Sequence, residues 1–175
     1  FIPNQAVSID LQEDLKINVR LVDCVGYVIE GASGYQDDSG IRLVKTPWYN
    51  ESIPFDQAAK IGTKKVIQDH STIGIVMTSD GSFLDIEERN YHQATQDIIE
   101  ELQNIGKPFI VIVNSKDPSS TTCQNVVESY RQKYDVPVVA MDVTNMLETQ
   151  VVHLLQEALN EFGVKEVKIE VPRYI

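Results

Sequence analysis

Apolar and polar residues alternate at the start of the chain. Val7, Ile9 and Leu11 are apolar with Ser8 and Asp10 between them, and from residue 15 to residue 24 Leu15, Ile17, Val19 and Leu21 alternate with Lys16, Asn18 and Arg20. A period of two predicts two strands, each buried on one face. The short charged link Gln12-Glu13-Asp14 predicts that they pair as an antiparallel hairpin. Residues 27–54 then lose all periodicity. They hold Gly31, Gly34, Gly40, Pro47 and Pro54, with Tyr27, Tyr35, Trp48, Tyr49 and Ile53 as apolar material to pack. So long an irregular segment inside a domain is uncommon and is usually functional or mobile; the other reading is a disordered insertion, against which the aromatic residues count.

From Phe55 the period lengthens. Phe55, Ala58, Ala59, Ile61, Gly62, Val66 and Ile67 predict a helix to about residue 69. Residues 71–78 are almost continuously apolar, which predicts a strand buried on both faces, as in a parallel sheet. Residues 85–104 predict a helix with Ile98, Ile99 and Leu102 on one face and Gly106 past its end. A buried strand over 108–113, a helix over 119–134 and a third buried strand over 137–141 follow. Thr144 or Asn145 is expected to cap a last helix that runs to Phe162 and stops at Gly163. Residues 164–171 alternate again and predict a final strand or a linker.

Helices alternating with buried strands predict a largely parallel sheet with right-handed crossovers. Ligands of such sheets bind beyond the carboxyl ends of the strands, which directs attention to Asp23, residues 78–80, residues 114–117 and Asp142. A length of 175 residues suits one domain. Fifteen Lys and Arg against 26 Asp and Glu give a net charge of −11, which argues against non-specific binding to nucleic-acid phosphates or anionic lipid by this segment. No basic patch interleaved with aromatics marks a nucleic-acid surface, and no apolar run approaches the roughly 20 residues of a spanning helix. The opening Phe1-Ile2-Pro3-Asn4 has neither an initiator Met nor a signal peptide and reads as the interior of a longer protein. Cys24 and Cys123 lack CxxC spacing and are expected as free thiols in a reducing setting. His70, His92 and His153 have no metal-ligand spacing.

Two strand ends carry candidate chemistry. Asp23-Cys24-Val25-Gly26 matches the DxxG pattern of P-loop nucleotide hydrolases, in which the Asp holds Mg²⁺ through water and the Gly leaves its N–H free to approach a phosphate. Asp37-Asp38-Ser39-Gly40 matches as well, so the pattern alone is weak; only the first follows a strand. The other reading of Asp23 is the start of a turn. Asn114-Ser115-Lys116-Asp117 stands where guanine-binding proteins carry Asn-Lys-x-Asp, with Ser115 in place of the Lys that would lie over the base. It is either a base contact or a polar turn that caps the next helix. A phosphate-cradling Gly-x-x-x-x-Gly-Lys-Ser/Thr string does not occur in the chain.

A longer ordered set of residues carries a resemblance. It comprises Asn18-Val19-Arg20-Leu21-Val22-Asp23-Cys24-Val25-Gly26-Tyr27, Thr46-Pro47-Trp48-Tyr49, Ile53-Pro54-Phe55, residues 58–67, His70-Ser71-Thr72-Ile73-Gly74, Gly106-Lys107-Pro108-Phe109-Ile110 and Glu157-Ala158-Leu159. In this order, and with the single Trp included, it resembles the stage IV sporulation protein A family of spore-forming Firmicutes over essentially the whole chain. The resemblance implies an α/β fold of the three-layer P-loop GTPase-like (TRAFAC) type: a mostly parallel sheet with one antiparallel edge hairpin, its first strand and P-loop falling before Phe1. It implies a truncated nucleotide-hydrolase domain over 1–163 and a last strand or linker over 164–175.

The same resemblance implies a spore coat protein that, when intact, hydrolyses ATP with Mg²⁺ and polymerises into the basement layer of the coat. Asp23 would hold Mg²⁺ through water and Gly26 would sense the γ-phosphate. Asn114, Ser115 and Asp117 would lie at the base, and the loss of the Lys at Ser115 fits a loss of guanine preference. The implied partners are further copies of itself, a small amphipathic membrane-anchoring peptide and other coat proteins, at the forespore outer membrane in the mother-cell cytoplasm; targeting and assembly regions would lie beyond Ile175. The alternative is a catalytically inert GTPase-like module whose long aromatic segment binds coat proteins. In relatives the missing strand lies between the hairpin and residues 73–77, so its absence predicts that those two edges pair directly or associate with another copy.

Overall fold

Among the described residues, Phe109 to Val113 is the most deeply buried run, each position at most 5% exposed. In the computed structural model, which describes residues 3–12, 15–38 and 40–162, this run forms the middle strand of a parallel sheet. The elements are β1 (Val7–Gln12), β2 (Leu15–Val19), the two-residue strands β3 (Gln36–Asp37), β4 (Gly40–Ile41), β5 (Leu43–Val44) and β6 (Ile53–Pro54), α1 (Phe55–Lys65) continued by a π-helical turn (Val66–His70), β7 (Gly74–Ser79), a 3₁₀ turn (Glu88–Tyr91), α2 (His92–Asn104), β8 (Phe109–Asn114), α3 (Thr121–Tyr134), β9 (Val138–Met141) and α4 (Glu148–Asn160). The sheet order is β7-β8-β9 and both pairings are parallel.

The two-residue alternation of β8 divides the core. Val111 and Val113 join Val76 and Val138 against Ile99 and Leu102 of α2 and Cys123, Val126, Val127 and Tyr130 of α3. Ile110 and Ile112 face the other way, with Met141, onto Leu154 and Ala158 of α4. Burying a side chain of this size is worth about 1.5–3 kcal/mol, so these two layers fix the sheet between its helices. Gly74 opens β7 where a Cβ would stand 3.1 Å from both Leu102 Cδ2 and Phe109 Cβ; a side chain there would push α2 off the sheet. Lys107 donates to the carbonyls of Ile67 and Ser71, closing the end of the α1 turn against the α2–β8 connection.

Several boundaries differ from the sequence reading. The expected antiparallel hairpin forms, with Val7 opposite Val19, but it is a two-stranded sheet of its own and not an edge of the parallel sheet. It docks on α4, where Gln156 Nε2 donates to the Leu11 carbonyl at 2.9 Å. The second strand stops at Val19 because β1 offers no partner beyond it. The strand over 71–78 is not buried on both faces, since Met77 is 49% exposed. The second long helix begins at His92 after the 3₁₀ turn, not at residue 85. The last helix begins at Glu148, because Thr144 and Asn145 donate their amides to Asp142 Oδ1 in a turn. The expected strand or linker over 164–171, and Gly163, lie outside the described residues.

The two edges of the sheet are unlike. Gly74 and Asp80 donate their amides to β8 carbonyls or the residue before them, so by alternation the N–H and C=O of Ile75 and Met77 point away from β8. No described strand pairs with that side. On β9, Arg131 Nη2 caps the outward Val138 carbonyl at 2.6 Å. The expected direct pairing of the hairpin with residues 73–77 is therefore not formed, which leaves association as the remaining expectation. The chain alone is expected to sediment above its 19.7 kDa monomer mass at tens of micromolar, and Met77→Lys to shift it toward monomer by charging the open edge. A parental chain that stays monomeric at that concentration sinks this prediction.

Candidate functional site

Between residues 21–29 and the open edge of β7 lies a cavity of about 730 Å³. Its lining brings together Leu21, Val22, Asp23, Cys24, Val25 and Gly26 with Ile73, Ile75, Val76 and Met77, and with Phe55 and Thr63 of α1 and Ala94, Ile98 and Leu102 of α2. Asp23 is the only Asp, Glu, Lys or Arg among the described residues that line it. The sequence places Asp23 at a strand end; in the structure it stands four residues past β2, on an exposed stretch at the cavity. Gly26 turns the chain with φ +78°, the left-handed region where a side chain is strained. Its amide donates to Thr63 Oγ1 at 3.0 Å.

The long segment after Gly26 is tied to α1. Lys60 Nζ lies 5.2 Å from the Tyr27 ring centre and Lys65 Nζ 5.7 Å from that of Trp48, while the Trp48 ring rests on Gly62, where a Cβ would meet it at 3.4 Å. Burial, with Glu101 and Asp97 nearby, pushes the Tyr27 hydroxyl pKa above its ordinary value. Trp48 and Tyr49 nonetheless keep 44% and 51% exposure.

The second candidate group gathers at the ends of β7, β8 and β9. Asn114 Oδ1 accepts from the Val143 amide at 3.1 Å and ties β8 to the loop after β9. Ser115 is fully buried. Its hydroxyl donates to Asp80 Oδ2 at 2.5 Å and accepts from the Asp117 amide at 3.1 Å. Asp117 Oδ1 accepts from the amide and hydroxyl of Ser119 at 3.1 and 2.6 Å, leading into α3, whose N-cap is Ser120. Asp80 Oδ1 accepts from the amide and hydroxyl of Ser82. Asp142, likewise flagged as a strand-end residue, holds its own turn through Thr144 and Asn145. These bonds make the cluster a brace between loops; Ser115 presents no exposed atom to a ligand, and Asp117 remains exposed at the rim.

Thr63 was not among the residues the sequence singled out. Its signal was a hydroxyl on the buried stripe Ala59, Thr63, Ile67, where spacing of four predicts hydrocarbon. The described residues contain no group of three His, Cys, Asp or Glu side chains that could enclose a metal ion, and Cys24 and Cys123 are both free thiols. No described helix is long and apolar enough to cross a membrane.

Residues 1–163 match the family model described as stage IV sporulation protein A, ATPase domain. Proteins named stage IV sporulation protein A from Bacillus anthracis, Bacillus subtilis (strain 168) and Clostridioides difficile (strain 630) are 50%, 49% and 41% identical over the whole chain. The chain spans about a third of their length, 36% in each case. No solved structure matches.

Proposed function

The chain belongs to the stage IV sporulation protein A family, with residues 1–163 in its ATPase domain, and from that premise we propose that it forms the part of a Mg²⁺-ATP hydrolase that contributes the metal-side carboxylate and the phosphate-sensing amide. The observation that carries this reading is that Asp23 and Gly26 line one cavity with the open edge of β7. A largely apolar cavity lined by an unpaired strand edge and by residues 21–29 suits one further strand parallel to β7. A segment of the longer protein that ends such a strand with a phosphate-binding loop would deliver the triphosphate beside Asp23 and Gly26.

The donors fit part of the group. A carboxylate at an exposed rim suits a hydrated divalent cation, which Mg²⁺ prefers because it dehydrates reluctantly. A glycine amide with open space where a Cβ would stand suits close approach of a phosphate oxygen. When bound, Mg²⁺-ATP supplies the electrophilic phosphorus and the charge that the site must balance. Asp23 would orient the metal's water shell, Gly26 would donate its N–H to a terminal oxygen, and the apolar walls would exclude bulk water. Asn114 and Asp117 would shape the base end through the braces described above.

In the full-length protein this activity would drive polymerisation into the basement layer of the spore coat. Further copies, a small amphipathic membrane-anchoring peptide and other coat proteins are the proposed partners, at the outer forespore membrane in the mother-cell cytoplasm. Asp23→Ala in the full-length protein is expected to lower ATP turnover about tenfold, roughly 1.4 kcal/mol of barrier, and to flatten its dependence on Mg²⁺. A variant that turns over at the parental rate would remove Asp23 from the reaction. The exposed Trp48 and Tyr49 favour a second reading, an inert module that binds coat proteins through the long segment; a full-length protein without measurable ATP affinity selects it.

A further inference from the structure

Thr63 places a hydroxyl where the helix calls for hydrocarbon. It lies one turn from Ala59 and one turn from Ile67 on the inward stripe of α1 and its π-helical continuation, and only 2% of it is exposed. Burying a hydroxyl without a partner costs about 1–3 kcal/mol, and valine has nearly the same shape. The partner lies 37 residues away in the chain: the Gly26 amide donates to Thr63 Oγ1 at 3.0 Å. Apart from its own residue and its chain neighbours, nothing lies within 4 Å of where a Gly26 Cβ would stand, so no packed side chain presses on that point. An N–H bound to Thr63 cannot point fully at a phosphate oxygen at the same time.

We infer that Thr63 is a positioning residue for the Gly26 amide: its hydroxyl holds that N–H in a resting orientation, and engagement of a terminal phosphate has to break this bond. The inference rests on the reading of Gly26 as the phosphate-sensing residue. The surroundings give the bond a consequence. Tyr27, the next residue, lies against Lys60, one helical turn before Thr63, and Trp48 lies on Gly62 and Lys65. Release of Gly26 therefore reaches the long segment through Tyr27, on the helix surface that also seats Trp48. A two-state contact of this kind taxes nucleotide affinity by the population of the resting state.

Hydrogen–deuterium exchange on the full-length protein tests this at peptides covering residues 24–28, for the parent, Thr63→Val and Thr63→Ser. Without nucleotide, Thr63→Val is expected to exchange the Gly26 amide about tenfold faster, the effect of losing one hydrogen bond, and Thr63→Ser to exchange at the parental rate. With Mg²⁺ and a non-hydrolysable ATP analogue, parent and Thr63→Val converge, and Thr63→Val binds the analogue up to about tenfold more tightly. Equal exchange at Gly26 in the nucleotide-free parent and Thr63→Val overturns the inference. If valine prevents folding, Thr63→Ala carries the same expectation and the same refutation. If none of these proteins binds the analogue, the phosphate role of Gly26 fails, while exchange without nucleotide still decides whether Thr63 holds the amide.

Discussion

Asp80→Ala is expected to destabilise the domain by about 3 kcal/mol, read as a fall of about 6–12 °C in Tm for a chain of this size. Asp80 is 8% exposed at the end of β7. It accepts hydrogen bonds from the Ser115 hydroxyl at 2.5 Å, the Ser82 hydroxyl at 2.6 Å and the Ser82 amide at 3.0 Å. Alanine would leave the fully buried Ser115 hydroxyl without its acceptor and would loosen the loop in which the Lys116 amide donates to Ser82 Oγ. The pH dependence follows from the same bonds. Burial pushes the Asp80 carboxyl up, but the donors from Ser115 and Ser82 outweigh it and hold its pKa below the ordinary 3.8. The folded pKa is then lower than the unfolded one, so the carboxylate's contribution is complete above about pH 4 and is lost as pH falls through the folded value. Denaturant unfolding at pH 7, 5 and 3.5 should show a gap between the parent and Asp80→Asn that narrows only at the most acid pH. A variant as stable as the parent at pH 7, or a gap that does not narrow, contradicts this account.

What the sequence discloses depends on how far apart the partners are. Residues 109–113 announce a doubly covered strand because both faces meet hydrocarbon, and the structure buries every one of them. The DxxG spacing at Asp23 and Gly26 is local, so it can be read, and both residues do meet at one cavity. The end of β2 cannot be read in this way. Alternation continues past Val19 to Leu21, yet a strand also needs a neighbour to pair with, and β1 begins opposite Val19; Leu21 is left 68% exposed. Alternation tells which face is apolar and is silent about whether a ladder partner exists. The Gly26–Thr63 bond spans 37 residues, and nothing in either local sequence ties one to the other. Ser115 is legible only in part. Set beside a lysine it suggests either a base contact or a polar turn, and the bridge its hydroxyl makes between Asp80 and the Asp117 amide is one that only the juxtaposition of β7 and β8 creates.

The 175-residue chain alone is expected to bind Mg²⁺-ATP with a Kd at or above about 1 mM, and the full-length protein at least about 1000-fold more tightly, by isothermal titration under identical salt. A triphosphate is held by convergent backbone N–H groups and by cationic side chains. Among the described residues, the cavity beside Asp23 lacks the cationic part of that set. The described residues that line it include no Lys or Arg, and the amide best placed to serve, that of Gly26, is engaged by Thr63. The nearby cations Lys60 and Lys65 lie over the Tyr27 and Trp48 rings. Much of the remaining lining, Ile73, Ile75, Val76, Ile98 and Leu102 among it, is hydrocarbon, which favours an apolar strand and penalises a phosphate stripped of water. A net charge of −11 adds long-range repulsion that Mg²⁺ offsets only in part. The large gain in the full-length protein would then come from a strand that fills the slot along Ile75 and Met77 and sets a cradle of amides opposite Asp23. Micromolar affinity in the 175-residue chain would overturn this division of labour, because the groups that hold the phosphates would then have to lie among these residues and the open edge of β7 would need another explanation.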